Sequence, residues 1–519
     1  MFLLAINLLV SAFGGLALSS SFPDFNIWFL APLSIGILYF VLRNKQWWKN
    51  SLLAFVFAFS FFIVNLQFIS IALNMTGLIC LTIFEALYFA LLGLIWTYLQ
   101  KIFIVKQNRF INIIIFSALY VTIEYIRSNW PWGGFSWGSV AYSQTYSPLG
   151  KYSFFIGQYG VIFMVVGLGV CLYFLAQFII SLRLIKIITF SCFIGLLVFM
   201  GQLLFLFQPT QLNNNLTFAA VQGNINSHKI GTQYTYNSDE TFINQIEATE
   251  KLINSPNYKT EANHIQVILW PESAVGFDPL NSNNTNSMAR LQNLVNQVGK
   301  PFIVGSNFLA KQNNQTKHYN SMFLIEPESK GVSQIYSKQH LVPFGEYIPL
   351  RHFFEFIDKQ NTDRIADFDS SPNSLNIKLN KAILGTRICF EVAIPELINQ
   401  SVEQGANILF IPSNNSNFGF SSLSAQQLQI DQFRAIENKR SVITVNLSGI
   451  SGAILPDGTI TYKTSLFTTD SFVGQLPLNN QIPPHLFIDW WIITICFIII
   501  MAALVYAIFF KIIKKQLKK

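Results

Sequence analysis

Charged residues are scarce in this sequence. They make up 12% of its 519 residues, whereas 51% are apolar, and a soluble globular protein carries about 25% charged residues. The composition therefore excludes a protein that is soluble along its whole length. Histidine and cysteine are also few, with six and five residues, and none of them form a cluster with the spacing of metal ligands. We expect neither a metal ion nor another cofactor.

The scarcity of charge leaves eight long apolar runs. They cover residues 2–19, 27–42, 52–73, 77–100, 110–126, 158–182, 184–207 and 488–510. Because a helix needs about 20 apolar residues to cross a bilayer, we predict a polytopic α-helical membrane domain of eight spans. The first run has no Lys or Arg before it, unlike a secretory signal peptide, so we expect it to be retained. The predicted domains are residues 1–207 with seven spans, a polar domain over 208–487, and the eighth span with a basic tail over 488–519.

Positive charge is unevenly distributed between these segments. The membrane portion contains 15 basic and 4 acidic residues, against 19 and 22 in the polar segment. With Met1 in the cytoplasm, 13 of the 15 basic residues fall in cytoplasmic loops and the tail, and Arg127 and Lys151 lie outside. The positive-inside rule therefore predicts that the polar domain lies outside the cytoplasmic membrane. That domain shows no basic patch, so we expect no nucleic-acid partner.

Two carboxylates lie inside predicted spans. Glu85 is in the middle of the fourth span and Glu124 is near the outer end of the fifth. Intramembrane carboxylates mark either a functional pathway or a structural partner pair. For Glu124, a pair with Arg127 three residues later is the competing interpretation. The sequence names no partner for Glu85.

The polar segment alternates between strand-like and helix-like runs, which predicts an α/β layered domain. The strand-like runs are 216–221, 265–270, 302–306, 321–325, 382–389, 407–411 and 441–446. The helix-like runs are 287–298, 394–403 and 423–438.

Three reactive residues follow strand-like runs in this segment. Cys389 is the only cysteine in the polar domain, so it has no disulfide partner there and is a candidate nucleophile. Glu272 follows the run 265–270, where a carboxylate can act as a general base. Lys338 is placed where an ammonium can stabilise an oxyanion. Each residue alone has a plainer interpretation: a small buried side chain for the thiol, a helix N-terminal residue for Glu272 and a surface charge for Lys338.

Several further motifs accompany these three residues. They are 221–225, 270–273, 336–338 with 342–349, 434–437, 446–449, and in the membrane part 134–137 with 142–144. Together these segments resemble the apolipoprotein N-acyltransferase family, the membrane branch of the nitrilase (carbon–nitrogen hydrolase) superfamily. The order Glu, Lys, Cys and the eight spans around one outer domain also resemble that family.

The resemblance implies an αββα sandwich and a ping-pong acyl transfer. Cys389 would take an acyl chain from a glycerophospholipid and pass it to the α-amine of an S-diacylglyceryl-cysteine apolipoprotein. Glu272 would be the base and Lys338 the oxyanion donor. The supporting residues would be Glu346, Phe390 and Glu391. The family also implies a multi-pass protein of the bacterial cytoplasmic (inner) membrane with its catalytic domain on the periplasmic side.

The sequence departs from the family's pattern near the site. Phe390 stands where the family usually has Tyr, and 414–419 reads Asn-Asn-Ser-Asn-Phe-Gly where Asn-Asp-Ala-Trp-Phe-Gly is usual. Asn417 thus replaces a tryptophan at a position that we expect to contact substrate. Residues 350–357 show apolar side chains on one helix face, so Phe353 and Phe354 belong either to a core-packed helix or to a flap that admits lipid.

Other classes of protein stay open on the sequence alone. A membrane-tethered nitrilase-type amidase would use the same Glu272, Lys338 and Cys389, although it would not need eight spans. A transporter or lipid-binding protein with an inert outer domain would form no thioester. A papain-like Cys–His enzyme is less favoured, because His340 is the only histidine suitably placed.

Overall fold

The computed structural model of the chain forms two compact units. One comprises Met1–Pro209 with Pro483–Lys519, and the other comprises Thr210–Ile482. The domain boundaries predicted from the sequence lie after residues 207 and 487. The structure describes residues 2–44, 46–102, 105, 107–206, 214–225, 238–312, 315–329, 331–352, 355, 367–372 and 375–516.

The first unit is helical. Its α-helices are Phe2–Ser19, Leu30–Val41, Trp47–Asn65, Phe68–Ala72, Met75–Leu99, Arg109–Asn129, Ser153–Ile180, Leu184–Leu206 and His485–Gln516. Two 3₁₀ turns, Tyr142–Gln144 and Pro148–Tyr152, lie in the loop before Ser153. Among the described residues, seven of these helices are long and apolar enough to cross a membrane. The predicted span at 27–42 is the exception, because Leu30–Val41 has only 12 residues, short of the roughly 20 that a crossing needs.

Glycine permits the last helix of this unit to pack closely. Gly157 has φ of +62° inside Ser153–Ile180, a left-handed conformation that glycine adopts without a Cβ clash. A Cβ at this position would lie 2.7 Å from Oδ1 of Asp489. The helix His485–Gln516 can therefore approach the kink only because residue 157 has no side chain.

A buried guanidinium joins three segments of the membrane unit. Arg127 is 1% exposed and donates to Glu85 Oε2 and Glu124 Oε1, both at 2.8 Å. It also donates to the carbonyl oxygens of Phe135 at 2.7 Å and Trp137 at 3.1 Å. Arg127 is thus the partner of Glu85 that the sequence did not reveal, and the interpretation of Glu124 as a structural partner is correct. Together they fix the loop that follows residue 129.

The second unit contains two six-stranded sheets among its described residues. Their strands in chain order are β1 (Asn214–Gln222), β2 (Val267–Leu269), β3 (Phe302–Gln312), β4 (Gln315–Ile325), β5 (Val332–Ser337), β6 (Ile377–Leu379), β7 (Ala382–Thr386), β8 (Ile408–Ser413), β9 (Ser441–Asn446), β10 (Gly452–Ile454), β11 (Ile460–Lys463) and β12 (Asp470–Leu478). The first sheet runs β12-β1-β2-β3-β4-β5 and the second runs β11-β10-β9-β8-β7-β6. Strands β1 to β3 are parallel, as are β7 to β9.

Alternation along β1 explains how these sheets are layered. Phe218 and Ala220 belong to the apolar cluster that also contains Leu384 and Phe410 of the second sheet. Ala219, between the first two, packs instead with the helices on the outer face of the first sheet. Because successive side chains of a strand point to opposite faces, the sheets stack face to face with helices outside. The αββα sandwich that the resemblance implied is confirmed.

The helices of this unit flank the two sheets. They are Ser238–Ile253, Pro256–Glu261, Thr285–Val298, Pro395–Glu403 and Leu423–Asn438, with 3₁₀ turns at Ser282–Asn284, Cys389–Ala393 and Ser416–Phe418. The first three lie on the first sheet and the last two α-helices contact β7, β9 and β10 of the second. The loops after β2, β5 and β7 carry the three candidate reactive residues.

Candidate active site

Three predicted residues emerge from strand ends on both sheets. Glu272 lies three positions after β2, Lys338 follows β5 directly, and Cys389 lies three positions after β7. Glu272 is 7% exposed and Lys338 is 2% exposed. Burial of charged side chains is costly unless they are paired and hydrogen-bonded, so their partners define the site.

Lys338 lies between two carboxylates. Its Nζ donates to Glu346 Oε1 at 2.8 Å and lies 3.8 Å from Glu272 Oε1. Burial works against the charged form of the lysine, but the carboxylates of Glu346 and Glu272 outweigh it and hold the pKa of Lys338 above its ordinary value. The side chain therefore stays an ammonium ion and can stabilise developing negative charge.

The Glu272 carboxylate accepts hydrogen bonds from another strand and from one other loop. Asn320, in β4, donates through Nδ2 to Glu272 Oε1 at 2.7 Å and to Glu346 Oε1 at 3.1 Å. The backbone N–H of Asn414 donates to Glu272 Oε2 at 2.8 Å. Burial nevertheless raises the pKa of Glu272 above its ordinary value, against the opposing effects of Lys338 and these hydrogen bonds. A raised pKa makes the carboxylate a better proton acceptor once it is ionised.

Cys389 begins a 3₁₀ turn in a strained backbone conformation. Its φ is +53°, in the left-handed region that costs a non-glycine residue roughly 1–3 kcal/mol and that recurs at functional sites. Burial raises the pKa of the thiol to about 12, with the Glu272 charge adding to the shift and Lys338 opposing it. The resting thiol is therefore protonated, and its reaction as a nucleophile requires a base.

Asn415 lies against the thiol. Cys389 Sγ donates to Asn415 Oδ1 at 3.9 Å, a long contact typical of sulfur. The amide of Asn415 is itself fixed, because its Nδ2 donates to Gln427 Oε1 at 2.9 Å and to Ser424 Oγ at 3.3 Å. Since the adjacent Asn414 binds Glu272, a single loop after β8 contacts both the base and the nucleophile.

Glu391 ties the lysine loop to the cysteine loop. Its Oε1 accepts from the backbone N–H groups of Gln339 at 2.7 Å and His340 at 3.0 Å. Its Oε2 accepts from the N–H of Ile388 at 2.7 Å and from Tyr336 Oη at 2.8 Å. Four donors on one buried carboxylate fix the position of the two loops relative to each other.

Replacement of Glu391 by Gln should destabilise this junction. The amide keeps the size of the carboxylate, but one of its two oxygens becomes an NH₂ group. The two donors that bind that oxygen would lose their acceptor and would face the N–H groups of the amide instead. Each charge-assisted hydrogen bond contributes about 1.5–3 kcal/mol, so we expect a loss of several kcal/mol in the free energy of unfolding. Thermal unfolding of the purified protein measures this loss of stability, and Glu326→Gln, at an exposed position, is the control. A midpoint equal to that of the control would contradict this role.

The other predicted site residues differ in where they lie. Glu346 contacts Lys338 directly, and Phe390 is buried with its ring stacked near His340, 6.0 Å between centroids. Asn417 is exposed in the turn after β8. Phe353 and Phe354 lie outside the described residues. Sequence reasoning missed Asn320 and did not single out Asn415 as a contact of the thiol, because an asparagine on a strand or in a loop carries no distinctive signal.

Both parts of the chain have relatives among known proteins. Residues 217–481 match the family model described as carbon-nitrogen hydrolase, and residues 14–171 match the apolipoprotein N-acyltransferase N-terminal domain. The apolipoprotein N-acyltransferase of Geobacter metallireducens is 26% identical over 91% of this chain and 89% of its own length. That of Pasteurella multocida is 26% identical over 92% and 90%. Among solved structures, Saccharomyces cerevisiae Nit3, of branch 10 of the nitrilase superfamily, is 16% identical over 51% of this chain and 91% of its own, with a TM-score of 0.36.

The stacked sheets define a nitrilase-type domain, and the same chain contains a helical membrane unit. Each of the two domain models accounts for one of these parts. The chain belongs to the carbon–nitrogen hydrolase family, in its membrane-bound apolipoprotein N-acyltransferase branch.

Proposed function

We propose that this protein transfers a fatty acyl chain from a glycerophospholipid to the α-amine of an S-diacylglyceryl-cysteine lipoprotein, through a thioester on Cys389. The observation that carries the proposal is the loop after β8, which contacts both the carboxylate of Glu272 and the thiol of Cys389. The membrane unit, which a simple hydrolase does not need, supplies access to lipid substrates. The reaction is the last step of lipoprotein maturation.

In the first half-reaction Glu272 accepts the proton of the Cys389 thiol. The thiolate attacks the ester carbonyl of the phospholipid, and the C–O bond to the glycerol breaks after the tetrahedral intermediate forms. Lys338 Nζ and the backbone N–H of Phe390 stabilise the oxyanion. Glu272 returns the proton to the departing glycerol oxygen, which leaves a lysophospholipid and an acyl-enzyme.

In the second half-reaction the lipoprotein amine attacks the thioester. Glu272, again ionised, removes a proton from the attacking nitrogen, and the C–S bond breaks as the amide forms. The proton passes to the sulfur and restores the resting thiol. Both half-reactions use the same base and the same oxyanion donor, which explains why one site can process two chemically different substrates.

A synthetic diacylglyceryl-cysteine peptide tests the whole reaction. Purified protein with phospholipid should add one acyl chain to the free amine of the peptide, detected by mass spectrometry. A peptide with an acetylated amine is the matched control and should remain unchanged. Acylation of both peptides would contradict the assigned acceptor, and release of free fatty acid without acylation would favour hydrolysis.

We place the protein in the bacterial cytoplasmic (inner) membrane with the catalytic domain on the periplasmic side. The seven long apolar helices make it a membrane protein, and the positive charge of the connecting loops supports the orientation. Cysteine accessibility from the outside tests it: a membrane-impermeant thiol reagent should label Ser329→Cys in intact spheroplasts and should not label Lys101→Cys.

The activity should fall at low pH because Glu272 must be ionised to act. Its pKa is raised, so the acid limb of the acylation rate lies above the pKa of an ordinary glutamic acid. The Asn320 hydrogen bond stabilises the carboxylate form, and Asn320→Leu should move that limb to higher pH by about one to two units, given that such a bond contributes about 1.5–3 kcal/mol. Rates of thioester formation between pH 4 and 8 measure the shift. If the acid limb of the Asn320→Leu variant lay at the same pH or at a lower pH, the assignment of Glu272 as base would be contradicted.

Phe353, Phe354 and Asn417 are proposed contacts of the lipid. If the two phenylalanines form a flap, their joint replacement by Ser should leave the protein folded and reactive with a small thiol reagent, but unable to use phospholipid. Loss of thermal stability instead would mean that they pack in the core. Leu350, which begins the same segment, is 65% exposed, as an apolar residue facing lipid would be.

A membrane-tethered amidase is the less favoured alternative. It would use the same three residues, yet it leaves the match of the membrane unit to the acyltransferase N-terminal domain unexplained. A Cys–His enzyme is disfavoured by His340, because burial and the Lys338 charge lower the pKa of this histidine to about 4, which makes it a weak base.

A further inference from the structure

A positively charged cleft lies in the membrane unit among residues that the catalytic reaction does not use. It has a volume of about 600 Å³ and is lined by Gln107, Asn108, Arg109, Phe110, Phe178, Lys186, Thr189 and Phe190. Two of these are cations, three are aromatic and none is acidic. A cavity with this lining can bind a molecule that has both an anionic and an apolar part.

Both cations of the cleft lie against the same aromatic ring. The guanidinium carbon of Arg109 is 4.4 Å from the centroid of Phe178, and Lys186 Nζ is 5.6 Å from it. Neither cation forms an ion pair among the residues that the structure describes. Of the four acidic residues in the membrane unit, Glu85 and Glu124 are bound by Arg127, and neither Asp24 nor Asp489 lines the cleft.

Two helices begin at this cleft and add to its positive potential. Arg109–Asn129 and Leu184–Leu206 are 21 and 23 residues long, and the N-terminus of a long helix carries about half a positive charge. Arg109 and Lys186 lie in their first turns. The side chain of Asn108 caps the first helix by accepting from the N–H groups of Phe110 and Ile111. The positive potential of the cleft therefore comes from the side chains of Arg109 and Lys186 and from the N-termini of the two helices that carry them.

We propose that this cleft binds the headgroup of an anionic glycerophospholipid. The phosphate lies between Arg109 and Lys186, and the first carbons of its acyl chains lie against Phe110 and Phe190. A soluble anion gains nothing from the aromatic walls, whereas a lipid uses both the charge and the apolar surface. On the proposed orientation the cleft faces the cytoplasmic leaflet, whose anionic lipids attract basic residues by about 1 kcal/mol each. The site is distinct from the one that acylates Cys389.

Native mass spectrometry of the full-length protein in detergent tests this site. The Cys389→Ala variant serves as the background, so that lipid is not consumed. It is titrated with phosphatidylglycerol or with phosphatidylcholine of the same acyl chains. We expect tighter binding of phosphatidylglycerol. We also expect Arg109→Gln with Lys186→Gln to weaken that binding about 25-fold, because each charge removed weakens it about 5-fold.

Matched variants separate the cleft from general charge. Lys49→Gln with Lys101→Gln removes two cations on the same proposed side of the membrane without touching the cleft, and should leave binding unchanged. Arg109→Lys with Lys186→Arg keeps both charges and should retain the preference, which also controls for misfolding. Equal affinity for the two lipids, or equal loss in the Lys49 and Lys101 variant, would overturn the proposal. So would displacement of the lipid by an equal concentration of glycerol phosphate, which would indicate a site for soluble anions.

Discussion

Purified protein incubated with phospholipid is expected to gain the mass of one fatty acyl chain on Cys389. Desolvation raises the pKa of the half-buried thiol to about 12, so the reaction depends on the neighbouring Glu272 and is confined to this cysteine. Cys389→Ala should remove the adduct and both half-reactions, and Glu272→Gln should prevent its formation. The intact mass of the protein before and after hydroxylamine treatment measures the acyl adduct, since a thioester is cleaved under conditions that leave an amide intact.

The other cysteines provide the controls for this experiment. Cys80 and Cys192 are exposed, so a non-specific acylation would reach them as readily. Cys80→Ala and Cys192→Ala should keep the full adduct. An adduct that survives Cys389→Ala, or one that hydroxylamine does not remove, would show that the acyl chain is held elsewhere or by another bond.

Replacement of Lys338 by Met should slow thioester formation by about 10²–10³, the usual cost of one oxyanion donor. The loss has a second cause, because without the ammonium the pKa of Glu272 rises further and less of the base is ionised near pH 7. The same change leaves the partly buried Glu346 without its cation, which lowers stability by at most the roughly 3–5 kcal/mol that a broken buried ion pair costs. Single-turnover acylation and thermal unfolding should therefore both be affected.

A double variant separates these two effects of Lys338. In Lys338→Met with Glu346→Gln the orphaned carboxylate is removed, so thermal stability should largely return. The acylation rate should stay low, because the oxyanion donor is still absent. Recovery of the rate together with stability would mean that Lys338 only maintains the structure.

Of the three candidate catalytic residues, Glu272 and Cys389 were predictable because each follows a buried strand, whereas Lys338 follows β5, which is only partly buried. Runs of apolar residues located β2 and β7, and the residues that follow such strands lie at the edges of the sandwich. Their surroundings were not predictable. Asn320 lies within β4, where an asparagine looks like any polar strand residue, and its role depends on two carboxylates that come from loops 48 and 26 residues away in sequence. Spatial convergence of this kind leaves no local pattern.

The elements that sequence reasoning missed have identifiable physical causes. Helix Ser238–Ile253 has buried polar residues in its packed face: Gln245 donates to the carbonyl of Val221 at 2.7 Å, and Thr249 is fully buried. These interrupt the apolar period that marks a helix. Strand β12 contains Pro477, which argues against a strand, yet β12 is an edge strand, where proline is tolerated.

The arginine cluster of the membrane unit has a consequence for biosynthesis. Glu85 is made 42 residues before Arg127, and at about 5–20 residues per second the ribosome takes about 2–8 seconds to reach the arginine. During that interval the helix Met75–Leu99 carries an acidic side chain without its cation, which hydrocarbon tolerates poorly. We therefore expect the release of this helix into lipid to be coupled to the arrival of Arg109–Asn129, so that the two helices enter the bilayer as a pair.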